Sequence, residues 1–160
     1  MKVKIYFDGA CLNIKDNRES LTGCGVAVYI DEEYSEYFSK AFAGDPGTSN
    51  LAEWCACVEA MKIGYEISEL AKQLNEQCKI VVLSDSQVIT RQFNGVYQIK
   101  ENSFWSYFRD AKYFANKMEK NLHEGSIHWV PREQNVKADI LSKQGLTEAR
   151  RLGSRTEQIV

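Results

Sequence analysis

The chain has 160 residues, 44% of them hydrophobic and 26% charged, with a formal net charge of −2. This suits a single domain over residues 1–160, and it excludes a protein that binds polyanions through overall basicity, so any such site must be local. Cys11, Cys24, Cys55, Cys57 and Cys78 have neither zinc-finger spacing nor a secreted disulfide pattern; with no signal-peptide core and no bilayer-length apolar run, a cytoplasmic protein without membrane association is expected.

Residues 2–8 form an apolar run that predicts a buried strand ending in YFDGA. Segments 23–30 (GCGVAVYI) and 34–42 (YSEYFSKAF) predict two more strands, joined at the acidic turn 31–33 and completing an antiparallel meander. The polar, aperiodic segment 12–22 reads as a long surface connection. From Ser49 the period becomes helical: Leu51, Trp54, Cys55, Val58, Met61 and Tyr65 recur at three- and four-residue steps, and Ala52, Ala56 and Ala60 permit close packing. Residues 79–83 (KIVVL) suit a strand buried on both faces, followed by a short helix over 86–93. A longer helix over about 103–122 buries Phe104, Phe108, Ala111, Ala115, Met118 and Leu122; a strand over 126–130 and a helix from about Asn135 close the chain. Three strands followed by alternating helices and strands imply an α/β domain, a mixed sheet with helices on its faces.

Four carboxylates stand at the junctions of these elements: Asp8 in YFDGA, Glu53 in TSNLAEW, Asp85 in LSDSQ and Asp139 in NVKAD. Each has a plain structural explanation. Asp85 with Ser86 can cap the following helix, Asp139 can favour the first turn of a helix capped by Asn135, and Glu53 can be an exposed helix residue. Asp8 is harder to dismiss, because Asp is disfavoured in strands and here it ends an apolar run before a conformationally permissive glycine. All four at strand ends and helix starts, where α/β sites form, point instead to one acidic cluster that holds divalent metal.

The segments YFDGAC at 6–11, TSNLAEWCACVEAM at 48–61, VLSDSQVITRQFNG at 82–95 and WVPREQNVKADILSK at 129–143 together resemble the type 1 ribonuclease H family in order and spacing. The resemblance implies a five-stranded mixed sheet of order 3-2-1-4-5 and an endoribonuclease that cuts the RNA strand of RNA/DNA hybrids. It implies two Mg²⁺ ions, with Mn²⁺ as a substitute, on Asp8, Glu53, Asp85 and Asp139. Two ions about 3.5–4 Å apart serve phosphodiester hydrolysis by activating water and stabilising the leaving oxygen. Thr48, Asn50, Gln87 and Arg132 are the matching substrate-contact positions. Glu53 is also placed to meet a ribose 2′-hydroxyl, the group that distinguishes RNA from DNA.

The chain departs from the family pattern in places. The loop before the last aspartate reads PREQN at 131–135, where many bacterial members carry a histidine. His123 and His128 do not fit that role and read as structural or solvated. The basic protrusion of some members is absent. On the helix over 103–122, Trp105, Arg109, Lys112 and Asn116 follow steps of four, three and four. That line suits a phosphate backbone, or else a solvated face with one partly packed Trp. A monomer without an obligate protein partner is expected. Two rival readings are a nucleic-acid-binding module with little or no turnover, and a related metal nuclease acting on another nucleic-acid structure.

Overall fold

The computed structural model describes residues 1–13, 20–44, 49–121 and 123–159. Strands β1 (Lys2–Asn13), β2 (Ser20–Ile30) and β3 (Glu33–Gly44) form the antiparallel meander. They are followed by α1 (Ser49–Gln73), β4 (Lys79–Ser84), α2 (Gln87–Phe93), α3 (Trp105–Lys120), β5 (Ile127–Trp129) and α4 (Val136–Ile159). The sheet order is β3-β2-β1-β4-β5, with β4 parallel to both β1 and β5, as the family resemblance implies. No described helix is long and apolar enough to cross a membrane.

Segment 12–22 is not a surface connection at its ends. β1 and β2 stay paired as far as Asn13 and Ser20, because cross-strand pairing such as Leu12 with Leu21 satisfies the backbone where the side-chain pattern loses its alternation. The β2–β3 connection is tighter than expected. Asp31 and Glu32 occupy it at φ 51° and 73°, as a two-residue hairpin requires, and Asp31 Oδ1 accepts the Lys2 amide at 2.8 Å. The third helix starts in a 3-10 turn, Asn102–Phe104; Leu122, expected in its buried stripe, lies outside the described residues.

Alternation along β1 divides the molecule. Val3, Ile5 and Phe7 are fully buried in the core with Trp54, Met61 and Met118, on the face covered by α1 and α3, while Lys4, Tyr6 and Asp8 point to the opposite face. Two helices meet the sheet at bare backbone. A Cβ on Gly9 would lie 2.2 Å from the Ala52 carbonyl carbon and 2.4 Å from the Glu53 nitrogen, so α1 rests directly on β1. On the other face a Cβ on Gly25 would lie 2.3 Å from the Ala138 oxygen, and one on Gly23 would lie 2.1 Å from the Ser142 oxygen, so α4 rests directly on β2. Gly9 is therefore required for space rather than for an unusual φ; Gly95, at φ 80°, is the positive-φ glycine among the described residues.

Gly9→Ala is expected to destabilise the fold by about 3 kcal/mol, the upper part of the overpacking range, because backbone atoms cannot rotate away. Urea denaturation checks this, and a variant as stable as wild type would show that α1 can shift at little cost.

Candidate active site

Each carboxylate is delivered by a local device. Asp8 follows the last β1–β4 pair, Phe7 with Ser84, and its own Oδ1 accepts the Gly9 amide at 2.9 Å. Glu53 sits in the second turn of α1 and is brought to β1 by the Gly9 contact. Asp85 leaves β4 just before α2. Ser86 caps that helix by accepting the Ile89 amide at 3.2 Å, so the Asp85 carboxylate is not needed as the cap. Asp139 lies in the first turn of α4, as expected.

Asp8, Glu53 and Asp85 each offer an oxygen, all within 4.8 Å of one another. At an effective dielectric of about 20, two unit charges that far apart repel by roughly 3 kcal/mol. Burial, and then the charges of Asp85 and Glu53, push the Asp8 carboxyl up to about 8, with Asp139 adding to the rise and the Gly9 amide opposing it. Burial likewise raises Glu53 to about 7; Asp85 adds to this, while Ser86 and the Arg132 guanidinium oppose it. Asp85 is raised as well, chiefly by burial, against the opposing effects of Asn135 and Arg132. A hard divalent cation relieves such a site, since all its donors are carboxylate oxygens. Asp139 is beside this group rather than in it: it acts on Asp8 and Asp85, while its Oδ2 accepts Lys143 Nζ at 3.1 Å.

The other expected contact residues separate. Asn50 and Gln87 are exposed at the starts of α1 and α2, and Arg132 is exposed in the 3-10 turn Arg132–Gln134 near Glu53 and Asp85. Thr48 lies outside the described residues. The line on α3 is divided. Trp105 and Arg109 are exposed, but Lys112 turns inward, its Nζ 4.0 Å from the centre of the Phe93 ring, and burial lowers its pKa. Lys112 is thus a half-buried cation on aromatic faces and not part of a free basic stripe. His128 is exposed and meets Glu124 at 2.9 Å, a solvated position.

Two residues near the cluster carry no distinctive local pattern. Asn135 was expected to cap α4, but its buried Oδ1 has no hydrogen-bond partner among the described residues, while Nδ2 donates to the Phe7 carbonyl at 3.0 Å. It ties the start of α4 to the strand just before Asp8. Trp129 donates from Nε1 to the Asp85 carbonyl at 3.0 Å, tying β5 to the turn that presents Asp85. Only the strand order shows that β5 lies beside β4.

The RNase H family profile matches residues 1–147. The chain belongs to the ribonuclease H family. Its fold is similar to the N-terminal RNase H domain of Rv2228c from Mycobacterium tuberculosis, at TM-score 0.70 and 22% identity, covering 95% of this chain and 98% of that one. It is similar to RNase H1 from the archaeon Halobacterium salinarum at TM-score 0.69 and 23% identity, covering 93% and 100%. LC11-RNase H1, isolated from compost and solved in complex with an RNA/DNA hybrid, gives TM-score 0.71 and 25% identity, covering 92% and 98%. The second and third of these are RNase H1 proteins, and this chain shares their fold.

Because folding raises the Asp8 carboxyl from 3.8 to about 8, the folded chain binds more protons than the unfolded one across that window, and metal-free stability falls as pH rises through it. Asp8→Asn is expected to match wild type near pH 4 and to melt at a higher temperature near pH 8. Mg²⁺ should stabilise wild type at pH 8 far more than the variant. Thermal melts with and without Mg²⁺ check this; an Asp8→Asn protein less stable than wild type at pH 8 without metal would contradict it.

Proposed function

We propose that this ribonuclease H hydrolyses the RNA strand of RNA/DNA hybrids, with divalent metal held by Asp8, Glu53 and Asp85 and with Asp139 alongside. The observation that carries this is the desolvated, mutually repelling carboxylate group at the meeting point of β1, α1 and β4. Family membership and the likeness to a relative solved with a hybrid support the substrate class. Mg²⁺ or Mn²⁺ ions bound there supply the charge that lowers the pKa of water and stabilises the leaving 3′ oxygen.

The chain's own residues do the rest. Ser86, whose oxygen already accepts the Ile89 amide, keeps its hydroxyl proton for Glu53 and holds that carboxylate toward the cluster. Asn50, one turn earlier on the same helix as Glu53, and Gln87, two residues beyond Asp85, are exposed and close in sequence to two of the cluster's carboxylates, and they read the minor groove. Glu53 meets the 2′-hydroxyl, which ties cleavage to ribose. Arg132 places a cation beside Glu53 and Asp85, where the substrate phosphate must come. Trp105 and Arg109 extend the contact surface along α3; Lys112 contributes packing instead.

Asp8→Asn and Asp85→Asn are expected to remove nearly all cleavage while leaving the fold intact, and excess EDTA should do the same for wild type. A gel assay of labelled RNA/DNA, RNA/RNA and DNA/DNA duplexes with Mg²⁺, Mn²⁺ and EDTA tests this; full cleavage by folded Asp8→Asn would sink the mechanism. One 2′-deoxy substitution in the RNA strand should block cutting at that position alone. Equal cutting there, seen by product mapping, would show that the sugar is not read.

A further inference from the structure

The face of the sheet that carries Asp8 is covered by α4 only in part. α4 lies over Gly23 and Gly25, toward the far end of the β1–β2 hairpin. Among the described residues the face is open at the other end of the strands, and a cavity of about 410 Å³ is lined there by Lys4, Tyr6, Tyr29, Gln134, Asn135 and Lys137, with Glu32 as the one carboxylate among them. Three rings run across three adjacent strands. Tyr6 and Tyr29 have centroids 5.5 Å apart, as do Tyr29 and Tyr34, and Lys137 Nζ stands 4.7 Å from the centre of the Tyr34 ring.

This set of groups is specific in its chemistry. Aromatic faces accept any base, lysines accept phosphates, and amide side chains match base edges. Asn135 adds a buried acceptor, Oδ1, that no donor among the described residues satisfies. Two lysines against one glutamate make the cavity locally cationic in a chain of net charge −2. The cavity also adjoins the proposed active site. Lys4, Tyr6 and Asp8 alternate on one strand face, which puts Tyr6 only two residues, about 7 Å, from the cluster. Asn135 belongs to both, lining the cavity and lowering Asp85 as well as bonding Phe7.

We propose that this tyrosine-lined face holds a single-stranded polynucleotide segment, the unpaired continuation of a strand whose paired part lies at the carboxylates. The hybrid half of that statement rests on the proposed function; the single-strand half does not. Lys4 and Lys137 take the phosphates, and bases stack on the rings of Tyr29 and Tyr34.

Fluorescence anisotropy in EDTA compares a blunt RNA/DNA hybrid with the same hybrid carrying a short single-stranded tail, of RNA in one arm and DNA in the other. Wild type is expected to bind the tailed form about tenfold more tightly, roughly what one stacked base supplies. Lys4→Ala with Lys137→Ala, and separately Tyr34→Ser, should bring the tailed form to the blunt value. These positions are exposed, so the variants should fold, which melting checks, and should cut blunt hybrid in Mg²⁺ at the wild-type rate. Equal affinity of wild type for tailed and blunt hybrids, or a tail advantage that persists in folded variants, would overturn the inference. Loss of blunt cleavage by wild type would instead strike the proposed function, since free tail oligonucleotide would still bind wild type and not the variants.

Discussion

The site depends on two helices that, beside their side-chain packing, meet the sheet backbone to backbone at glycines. Gly9 admits α1 on one face, and Gly25, directly across from Asp8 in the β1–β2 register, admits α4 on the other. Helices packed on a sheet through side chains would stand farther off, and short acidic side chains such as Asp8 and Asp139 could not then approach one another. The glycines therefore set the distance on which the carboxylate cluster depends. Asn135 completes the arrangement by holding the start of α4 against the Phe7 carbonyl.

The cluster works against stability. Burial and crowding raise the proton affinity of Asp8, Glu53 and Asp85 and so weaken the metal-free fold at neutral pH; the Gly9 amide, Ser86, Asn135 and Arg132 oppose the rise without abolishing it, and Lys143 is engaged with Asp139. The core of Ile5, Phe7, Trp54, Met61 and Met118, all fully buried, carries that load. Proton affinities shifted in this way by burial and like charge cluster at functional sites.

Much of this was legible in the residues, and what was not had a common cause. Apolar runs located β1 and β4, helical periodicity located α1 and α3, and the settings of the four acids in the family's motifs pointed to a single cluster. The β1–β2 hairpin was underestimated because strand pairing can be maintained by backbone bonds where alternation fails. Gly9 reads in the sequence as a conformationally permissive residue, since no one-dimensional pattern shows that a helix lies on it. Helical steps put Lys112 in line with Trp105 and Arg109, because they show which face a residue shares, not that its amine folds back over Phe93 from α2. Asn135 and Trp129 hold the site through contacts 128 and 44 residues away in sequence, beyond any local rule.

The central claim is that Asp8 and Glu53 are kept ready for metal by raised proton affinity in a crowded, partly desolvated cluster. Carbon-13 NMR titration of side-chain carboxyls in the metal-free protein, repeated at saturating Mg²⁺, tests it directly. Two carboxyl resonances should titrate well above the ordinary range, toward the values of about 8 and 7, and both should fall sharply when Mg²⁺ is added. Carboxyls that all titrate near 4 without metal, or that do not respond to Mg²⁺, would contradict the account.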